Sequence, residues 1–153
     1  MLRNPAAVRP WQFVLEPLAG YMRVAERLLQ NDPSAATSWN FGPNGREVRP
    51  VSWIADRIAG LWGNGAGWQL DPKDGQPHET ACLRLDTSKA QDELGWAPLL
   101  SIDTSLEWIV DWYRGFHQGS DAAELTLRDI QRYEELSRVA SVQHLSAPAD
   151  LTA

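Results

Sequence analysis

The stretch RPWQFVLEPLAGY, residues 9–21, places an arginine between extended backbone and a proline, directly ahead of a tryptophan and a helix. Asn4 and Arg9 each precede a proline, which disfavours the helical backbone for both, so residues 2–14 are predicted to be extended. Pro17 then opens a helix at a position where its missing N–H costs nothing. This construction is typical of a site that holds an anion and a flat ring at one fixed place.

Helical periodicity continues beyond this stretch. After this stretch begins, apolar residues recur at helical spacing until Pro33 stops the run: Leu18, Tyr21, Met22, Ala25, Leu28 and Leu29. The same pattern predicts helices over residues 51–62, 88–94 and 103–117. A capping box at Thr126–Asp129 is expected to begin the last helix.

Short strands are predicted between the helices, at residues 39–42, 67–71 and 83–86. The glycine-rich segment 63–67 follows a predicted helix, whereas a dinucleotide-binding loop follows a strand and opens a helix. We therefore interpret it as a helix cap and linker. The alternation predicts an α/β fold, rich in helix, with strands too few and too short for a complete dinucleotide-binding sheet.

Composition and charge restrict the class of protein. The chain has 153 residues and a net charge of −6, which argues against nucleic acid or an anionic membrane as the main partner. No apolar run is long enough to span a bilayer. The lone Cys82 fits a reducing cytoplasm and is expected to fill a core. Residues 1–138 are expected to form one ordered portion and residues 139–153 a disordered tail.

Eight tryptophans are an unusual number for a chain of this length. Aromatic faces stack on sugars, so a carbohydrate-binding surface is one interpretation. Core packing is the favoured interpretation for most of them, because Trp62, Trp96 and Trp112 stand beside helix ends or on apolar stripes.

Three stretches carry a family resemblance: RNPAAVRPWQFVLEPLAGY at 3–21, WNFGPN at 39–44 and GQPHETACLRLDTSKAQDELGWAP at 75–98. In this order and spacing they resemble the C-terminal part of the sugar-nucleotide enzymes of the extended short-chain dehydrogenase/reductase family. The resemblance runs from residue 2 to about residue 136. The D-x-S-K-A…E-L-G-W segment is shared across that family, whereas RPWQ-x-VLEPL with QPHE resembles the branch that dehydrates CDP-glucose.

The resemblance implies a substrate-binding lobe, with CDP-glucose or a related sugar nucleotide as ligand and NAD as cofactor of the complete enzyme. The family's catalytic Tyr-x-x-x-Lys pair is missing here, because no tyrosine has a lysine four places on and the only lysines are Lys73 and Lys89. We therefore expect a fragment, a split gene or a truncated gene model that lacks an N-terminal Rossmann domain. Alone it is expected to be inactive.

The resemblance also implies the candidate site residues. Arg9 occupies the position that reaches the diphosphate of the sugar nucleotide, and a planar guanidinium suits two phosphate oxygens. Trp11 is expected either to line the nucleotide pocket or to brace Arg9. His78 and Glu79 stand in a loop expected to lie over the substrate, with a solvated loop of no role as the alternative. Phe13 stands where the family usually has histidine.

Other residues are less specific. Arg84 is a second candidate basic contact, and Asp86 with Ser88 is expected to satisfy backbone N–H groups at a helix start. No His or Cys cluster supplies a metal site. Two other functions stay open: an epimerase or dehydratase for a UDP-, dTDP- or GDP-sugar, and a stand-alone, non-enzymatic binding module. A homo-oligomer stays open for the complete enzyme.

Overall fold

The structure is a computed structural model that describes residues 1–71 and 80–146. This part of the chain contains, beside two short 3₁₀ helices, five α-helices: α1 Leu15–Leu29, α2 Val51–Trp62, α3 Ser88–Leu94, α4 Ile102–His117 and α5 Ala122–Ser146. It also contains one antiparallel pair of short strands, β1 Val8–Arg9 and β2 Arg49–Pro50. These elements agree with a partial α/β domain. Two compact units result, one from Met1 to Asp111 and a second from Trp112 onward.

The segment before α1 forms the centre of a small ribbon of backbone. In the antiparallel pair, Val8 lies opposite Pro50 and Arg9 opposite Arg49. On its other side β1 meets the segment around Cys82, because the Val8 N–H donates to the Ala81 carbonyl at 2.8 Å and the Leu83 N–H donates to the Val8 carbonyl at 3.1 Å. The predicted extended backbone is confirmed at this ribbon.

None of the three predicted strands forms, and within residues 67–71 only Leu70 makes an isolated bridge, to Leu2. Residues 39–42 and 83–86 are not strands, although the second segment follows directly on the bridge at Cys82. In the first segment the Phe41 ring packs between Trp96, at 4.9 Å between centroids, and Tyr21, at 5.5 Å. Aromatic packing therefore determines the place of this segment, and it pairs with no neighbouring strand in the described residues.

The first apolar cluster joins α1 to α3. Phe41, Leu94 and Trp96 are buried together with Ala90, and Val24 of α1 packs against them. Gly95 ends α3 in a left-handed conformation, with φ of 60°, as its position after the predicted helix indicates. Arg23 and Arg27 of α1 cross to the carboxyl end of α3 and donate to its last carbonyl groups, which otherwise lack helical donors.

A second cluster joins α2 to α4. Ile54 of α2 is buried with Ile102 and Leu106 of α4, and Trp11 packs against them. The N-terminus of α4 is capped from a distance, because the Ile102 N–H donates to the Glu47 carboxylate at 3.0 Å. A carboxylate at a helix N-terminus also meets the positive end of the helix dipole. Glu47 lies two residues before β2, so this bond ties the strand pair to α4.

The start of the last helix differs from the prediction. The Asp121 carboxylate accepts hydrogen bonds from the N–H groups of Ala123 and Glu124, so α5 begins at Ala122 rather than at Thr126. Thr126 lies inside the helix, where its hydroxyl donates to the Ala122 carbonyl at 2.8 Å. The helix then continues to Ser146 and so includes residues 139–146, whereas the expected disorder of the tail at 139–153 stays a prediction. No glycine or proline stands between residues 122 and 146, which explains the continued helix.

The structure agrees with the predicted packing of most tryptophans and disagrees with the predicted burial of the cysteine. Trp96 and Trp108 are buried, and the other six tryptophans are half-buried, which favours packing over an exposed sugar-binding surface. Cys82 is exposed, so its expected role in a core is wrong. Its backbone pairs with β1, and the side chain is left on the outside of the ribbon. Among the helices of residues 1–71 and 80–146, none is long and apolar enough to cross a membrane.

Two helical glycines make a matched pair for testing the α1–α3 packing. A Cβ at Gly20 would lie 2.5 Å from the Phe41 ring, whereas a Cβ at Gly60 in α2 meets nothing within 4 Å. We expect Gly20→Ala to lower the free energy of unfolding by about 1–3 kcal/mol, because Phe41 is held between two other rings. Gly60→Ala is expected to raise it by about 0.5–1 kcal/mol through helix propensity. Urea unfolding of both variants measures this, and equal effects would contradict the packing.

Candidate functional site

Arg9 stands at the end of β1 with its guanidinium anchored to backbone. Its Nη1 donates to the carbonyl oxygens of Val8 and Thr80, each at 2.9 Å. The hydrogen bond to Thr80 joins two segments of the ribbon, so β1 and the chain at Thr80 together orient the Arg9 guanidinium. Pro10 restricts the backbone on the following side. The head group is thus held in place by its own protein before any ligand arrives.

Arg49 lies directly opposite Arg9 in the strand pair. Directly opposed residues share a face of the sheet, with Cα atoms about 5 Å apart. The Arg49 guanidinium also lies over the Trp53 ring, 5.2 Å from its centroid. Two arginines therefore concentrate positive charge at one place in a chain whose net charge is −6. We call Arg9 and Arg49 the arginine pair.

The aromatic residues after Arg9 hold the pair in position. The Trp11 indole N–H donates to the Arg49 carbonyl at 3.0 Å, and its ring packs against the cluster between α2 and α4. Trp11 thus fixes the backbone of the opposing arginine. Phe13 is buried and meets the Trp108 ring edge to face at 5.6 Å between centroids. It points into the core, where a histidine would need a hydrogen-bond partner.

The structure does not describe every polar candidate residue of the predicted loop at residues 72–81. His78 and Glu79 lie outside the described residues, so their proposed role stays a prediction. Thr80, the first described residue after them, accepts a hydrogen bond from Arg9 through its carbonyl oxygen. The structure thus brings this end of the loop to the arginine pair. Arg84 is exposed and follows the bridge at Cys82 along the same segment.

The start of α3 is structural, as the sequence predicts for Asp86 and Ser88. The Ser88 N–H donates to the Asp86 carboxylate at 3.0 Å. This backbone hydrogen bond, followed by one from the Ser88 hydroxyl, holds the pKa of Asp86 below its ordinary value of 3.8. Asp32 has a lowered pKa for a similar reason, since the Ser34 hydroxyl and the Arg27 guanidinium both donate to its carboxylate.

The lowered pKa of Asp86 predicts a pH-dependent contribution to stability. Because the folded-state pKa lies below that of the unfolded chain, the contribution is present above the unfolded pKa and is lost as pH falls through the folded pKa. We expect the melting temperatures of wild type and Asp86→Asn to differ at pH 7 and to converge between about pH 4 and pH 2. Circular dichroism at a series of pH values measures this, and a constant difference would contradict it.

Sequence reasoning missed three residues at or near this site. Arg49 precedes Pro50 just as Arg9 precedes Pro10, so the repeated Arg-Pro dipeptide was an available signal. Gln12 donates to the Phe41 carbonyl at 2.9 Å, and its buried Oε1 accepts no hydrogen bond from the described residues. Glu16 is buried and accepts from the N–H groups of Leu99 and Leu100. No local pattern distinguishes the last two from surface residues.

The arrangement suits recognition of an anion. Charge-assisted hydrogen bonds from arginine to phosphate are among the stronger polar interactions in proteins, and the guanidinium fork can meet two oxygens at once. Two such groups on one face match a ligand with more than one phosphate. The half-buried aromatic side chains of Trp11 and Trp53 lie beside the pair. A nucleotide diphosphate fits this combination of charge and flat rings.

Comparison with known proteins points to a sugar-nucleotide dehydratase as the class of protein that this chain is similar to. The relative is the CDP-glucose 4,6-dehydratase of Salmonella typhimurium (strain LT2), which is 41% identical over 133 residues. The match covers 87% of this chain and 37% of the relative, in the relative's C-terminal part. The chain thus spans little more than a third of the length of the curated relative it matches. No family model matches the chain. The resemblance predicted from the sequence is confirmed.

Proposed function

We propose that this chain is the substrate-binding part of a CDP-glucose 4,6-dehydratase, which converts CDP-glucose to CDP-4-dehydro-6-deoxy-glucose and water. In this proposal it is the C-terminal lobe of an extended Rossmann-type enzyme. The observation that carries the proposal is the arginine pair, Arg9 opposite Arg49 on β1 and β2. The 41% identity to the C-terminal part of the Salmonella enzyme supports the choice of reaction.

In the proposed role, Arg9 binds the diphosphate of the sugar nucleotide. Its guanidinium is anchored by two carbonyl groups, so little side-chain freedom is left to lose when the ligand binds. Arg49 supplies a second cation from the opposite strand. Trp11 positions Arg49 by donating to its carbonyl. His78 and Glu79 remain candidates for contacts to sugar hydroxyls or phosphate, as the resemblance implies.

The described residues do not fit a nicotinamide dinucleotide. Gly63 caps the end of α2 with φ of 73°, and among the residues that the structure describes no helix follows the glycine-rich segment before α3. A dinucleotide loop needs the opposite order, with a helix N-terminus facing the phosphates. The hydride chemistry that NAD supplies in the complete enzyme would therefore come from another part of it, a Rossmann domain. We place the complete enzyme in the cytoplasm, in line with an exposed thiol at Cys82 and a single cysteine.

The isolated chain is expected to bind CDP-glucose without converting it. Binding needs the arginine pair, whereas conversion needs a hydride carrier and a base that the proposal assigns to the Rossmann domain. Calorimetry with CDP-glucose measures the first, and an assay for water elimination with added NAD measures the second. Turnover by the isolated chain would contradict this division of labour.

The base that the site reads is tested by competition. CDP-, UDP-, dTDP- and GDP-glucose share the diphosphate and the glucose, so they differ only in contacts to the nucleoside. We expect CDP-glucose to displace a labelled CDP-glucose at the lowest concentration. Preference for another base would assign the chain to a different sugar-nucleotide enzyme and would leave the role of the arginine pair intact.

A further inference from the structure

The guanidinium of Arg49 lies over the ring of Trp53, with 5.2 Å between Cζ and the ring centroid. The two residues are four places apart, on either side of the point where β2 ends and α2 begins. Pro50, between them, has φ of −68° and ψ of 154°, so the chain is extended there and enters the helix at Val51. This short connection returns the ring of Trp53 to the side chain of Arg49.

The backbone and the ring of Trp53 are both held in place by the fold. The N–H groups of Val51 and Ser52 donate to the carbonyl oxygens of Ala7 and Pro5, each at 2.9 Å, so the first turn of α2 is attached to the chain just before β1. The ring is half-buried and packs against the apolar cluster between α2 and α4. Trp53 therefore forms an aromatic platform whose position does not depend on a ligand.

Two features of the surroundings of Arg49 repel a cation. Arg49 lies directly opposite Arg9 in the strand pair, and like charges in this arrangement destabilise a sheet. It also stands next to the start of α2, where the helix dipole carries a partial positive charge. The face of an indole ring attracts a guanidinium more strongly than the ring of any other residue type does. The ring of Trp53 therefore offsets part of the repulsion.

We propose that Trp53 is a positioning residue for diphosphate binding, because its ring holds the Arg49 guanidinium beside that of Arg9. This inference rests on the proposed function, in which the arginine pair binds the diphosphate of a sugar nucleotide. Without the ring, the guanidinium of Arg49 loses an attraction and gains rotamer freedom, part of which is lost again when a ligand binds. Loss of the ring is therefore expected to weaken the binding of diphosphates.

A second tryptophan in the chain provides a matched control for the ring. The Lys89 Nζ lies over the Trp39 ring, 4.3 Å from its centroid, and Trp39 is half-buried against the other apolar cluster, between α1 and α3. Trp39→Leu thus removes an indole from a cation and from the edge of a cluster, as Trp53→Leu does, but leaves the contact of Arg49 intact. A loss of affinity that comes only from a weakened fold would appear in both variants.

The experiment measures the affinity of the chain for inorganic pyrophosphate and for CDP-glucose by isothermal titration. We expect Trp53→Leu to weaken both about 3–10-fold, a factor that corresponds to the loss of one cation–π contact. Trp53→Phe should recover part of the affinity, because a phenyl ring also attracts a guanidinium, and Trp39→Leu should stay within about twofold of wild type. Equal losses in the two leucine variants, or a phenylalanine variant no better than leucine, would overturn the proposal.

A double-variant cycle tests whether Trp53 acts through Arg49. When Arg49→Ala is already present, we expect Trp53→Leu to weaken pyrophosphate binding by less than about twofold, because the group that the ring positions is absent. A Trp53→Leu effect of the same size with and without Arg49→Ala would show that the ring does not act through Arg49, and the positioning role would be overturned.

The outcomes separate this inference from the proposed function. A chain that binds pyrophosphate with an affinity that depends on Trp53, and binds CDP-glucose no more tightly, contradicts the function and supports the positioning role. A chain that prefers CDP-glucose, with Trp53→Leu equal to Trp39→Leu, supports the function and overturns the positioning role. A chain that binds neither ligand contradicts both.

Discussion

Glu16→Ala is expected to lower the free energy of unfolding by about 3–5 kcal/mol, which is a large part of the stability of a typical domain. Glu16 is 1% exposed, and its Oε1 accepts from the N–H groups of Leu99 at 2.9 Å and Leu100 at 2.7 Å. Alanine would leave both donors without this acceptor, and a buried, unsatisfied donor is costly. The chain between α3 and α4 would then lose these two bonds to α1 and keep the one from the Trp96 indole to the carbonyl of residue 16. Urea unfolding followed by tryptophan fluorescence measures the change.

Two further variants identify the cause. Glu16→Gln keeps an oxygen acceptor of similar shape, so we expect it to cost about 1–2 kcal/mol, less than alanine. Glu26→Ala removes an exposed carboxylate from the same helix and is expected to change stability by no more than about 0.5 kcal/mol. If Glu16→Ala unfolds at the same urea concentration as Glu26→Ala, the buried carboxylate does not hold the two elements together.

Arg9→Ala is expected to weaken CDP-glucose binding at least about 30-fold, since it removes charge-assisted hydrogen bonds to the diphosphate. Arg9→Lys should recover only part of the affinity, because an ammonium group is a point charge that cannot form the two parallel bonds of a guanidinium. The binding of wild type should also weaken as salt is added. Isothermal titration of each variant with CDP-glucose measures these effects.

Arg138→Ala is the matched control for charge. Arg138 is exposed in α5, where it pairs with Glu135 at 2.7 Å, and its removal changes net charge by the same amount as Arg9→Ala. We expect its affinity for CDP-glucose to stay within about twofold of wild type. Melting temperatures are measured alongside, because Arg9 also bonds two carbonyl groups. An equal loss of affinity in the two variants would show that Arg9 acts only through net charge.

Helices with clear local signals were predictable from the sequence. The bounds of α2 and α3 match the prediction because apolar periodicity and a following glycine, Gly63 or Gly95, define each end. The start of α5 was missed because two capping boxes compete. Asp121 and Glu124 have the same spacing as Thr126 and Asp129, and the earlier pair begins the helix.

The sidedness of α1 was not predictable from its periodicity. The spacing of Leu18, Tyr21, Met22 and Leu29 correctly indicates a helix, but these side chains are exposed. The helix instead packs through Gly20 and Glu16, a small residue and a buried carboxylate that no hydrophobic pattern includes. Periodicity detects an apolar face, and what covers that face depends on residues far along the chain or on a partner.

One arginine of the candidate site was predictable from the local sequence, and the other was not. Arg9 stands out in the sequence because prolines and an aromatic residue surround it. Arg49 has its own Arg-Pro dipeptide, but the register that sets it opposite Arg9 joins positions 40 residues apart. Local patterns carry no information on such pairing, which depends on packing of α1, α2 and the ribbon. The hydrogen bond from the Trp11 indole to the Arg49 carbonyl could not be predicted from local sequence either.

The most direct test of the arginine pair is an NMR titration of the tryptophan indole N–H signals, with Trp11 assigned by Trp11→Phe. The Trp11 indole donates to the Arg49 carbonyl, so its signal reports on the backbone of the pair. We predict that CDP-glucose and CDP shift this signal at submillimolar concentration, whereas cytidine, which has no phosphate, leaves it unchanged. A signal that responds to none of them, or equally to cytidine, would contradict diphosphate recognition by Arg9 and Arg49.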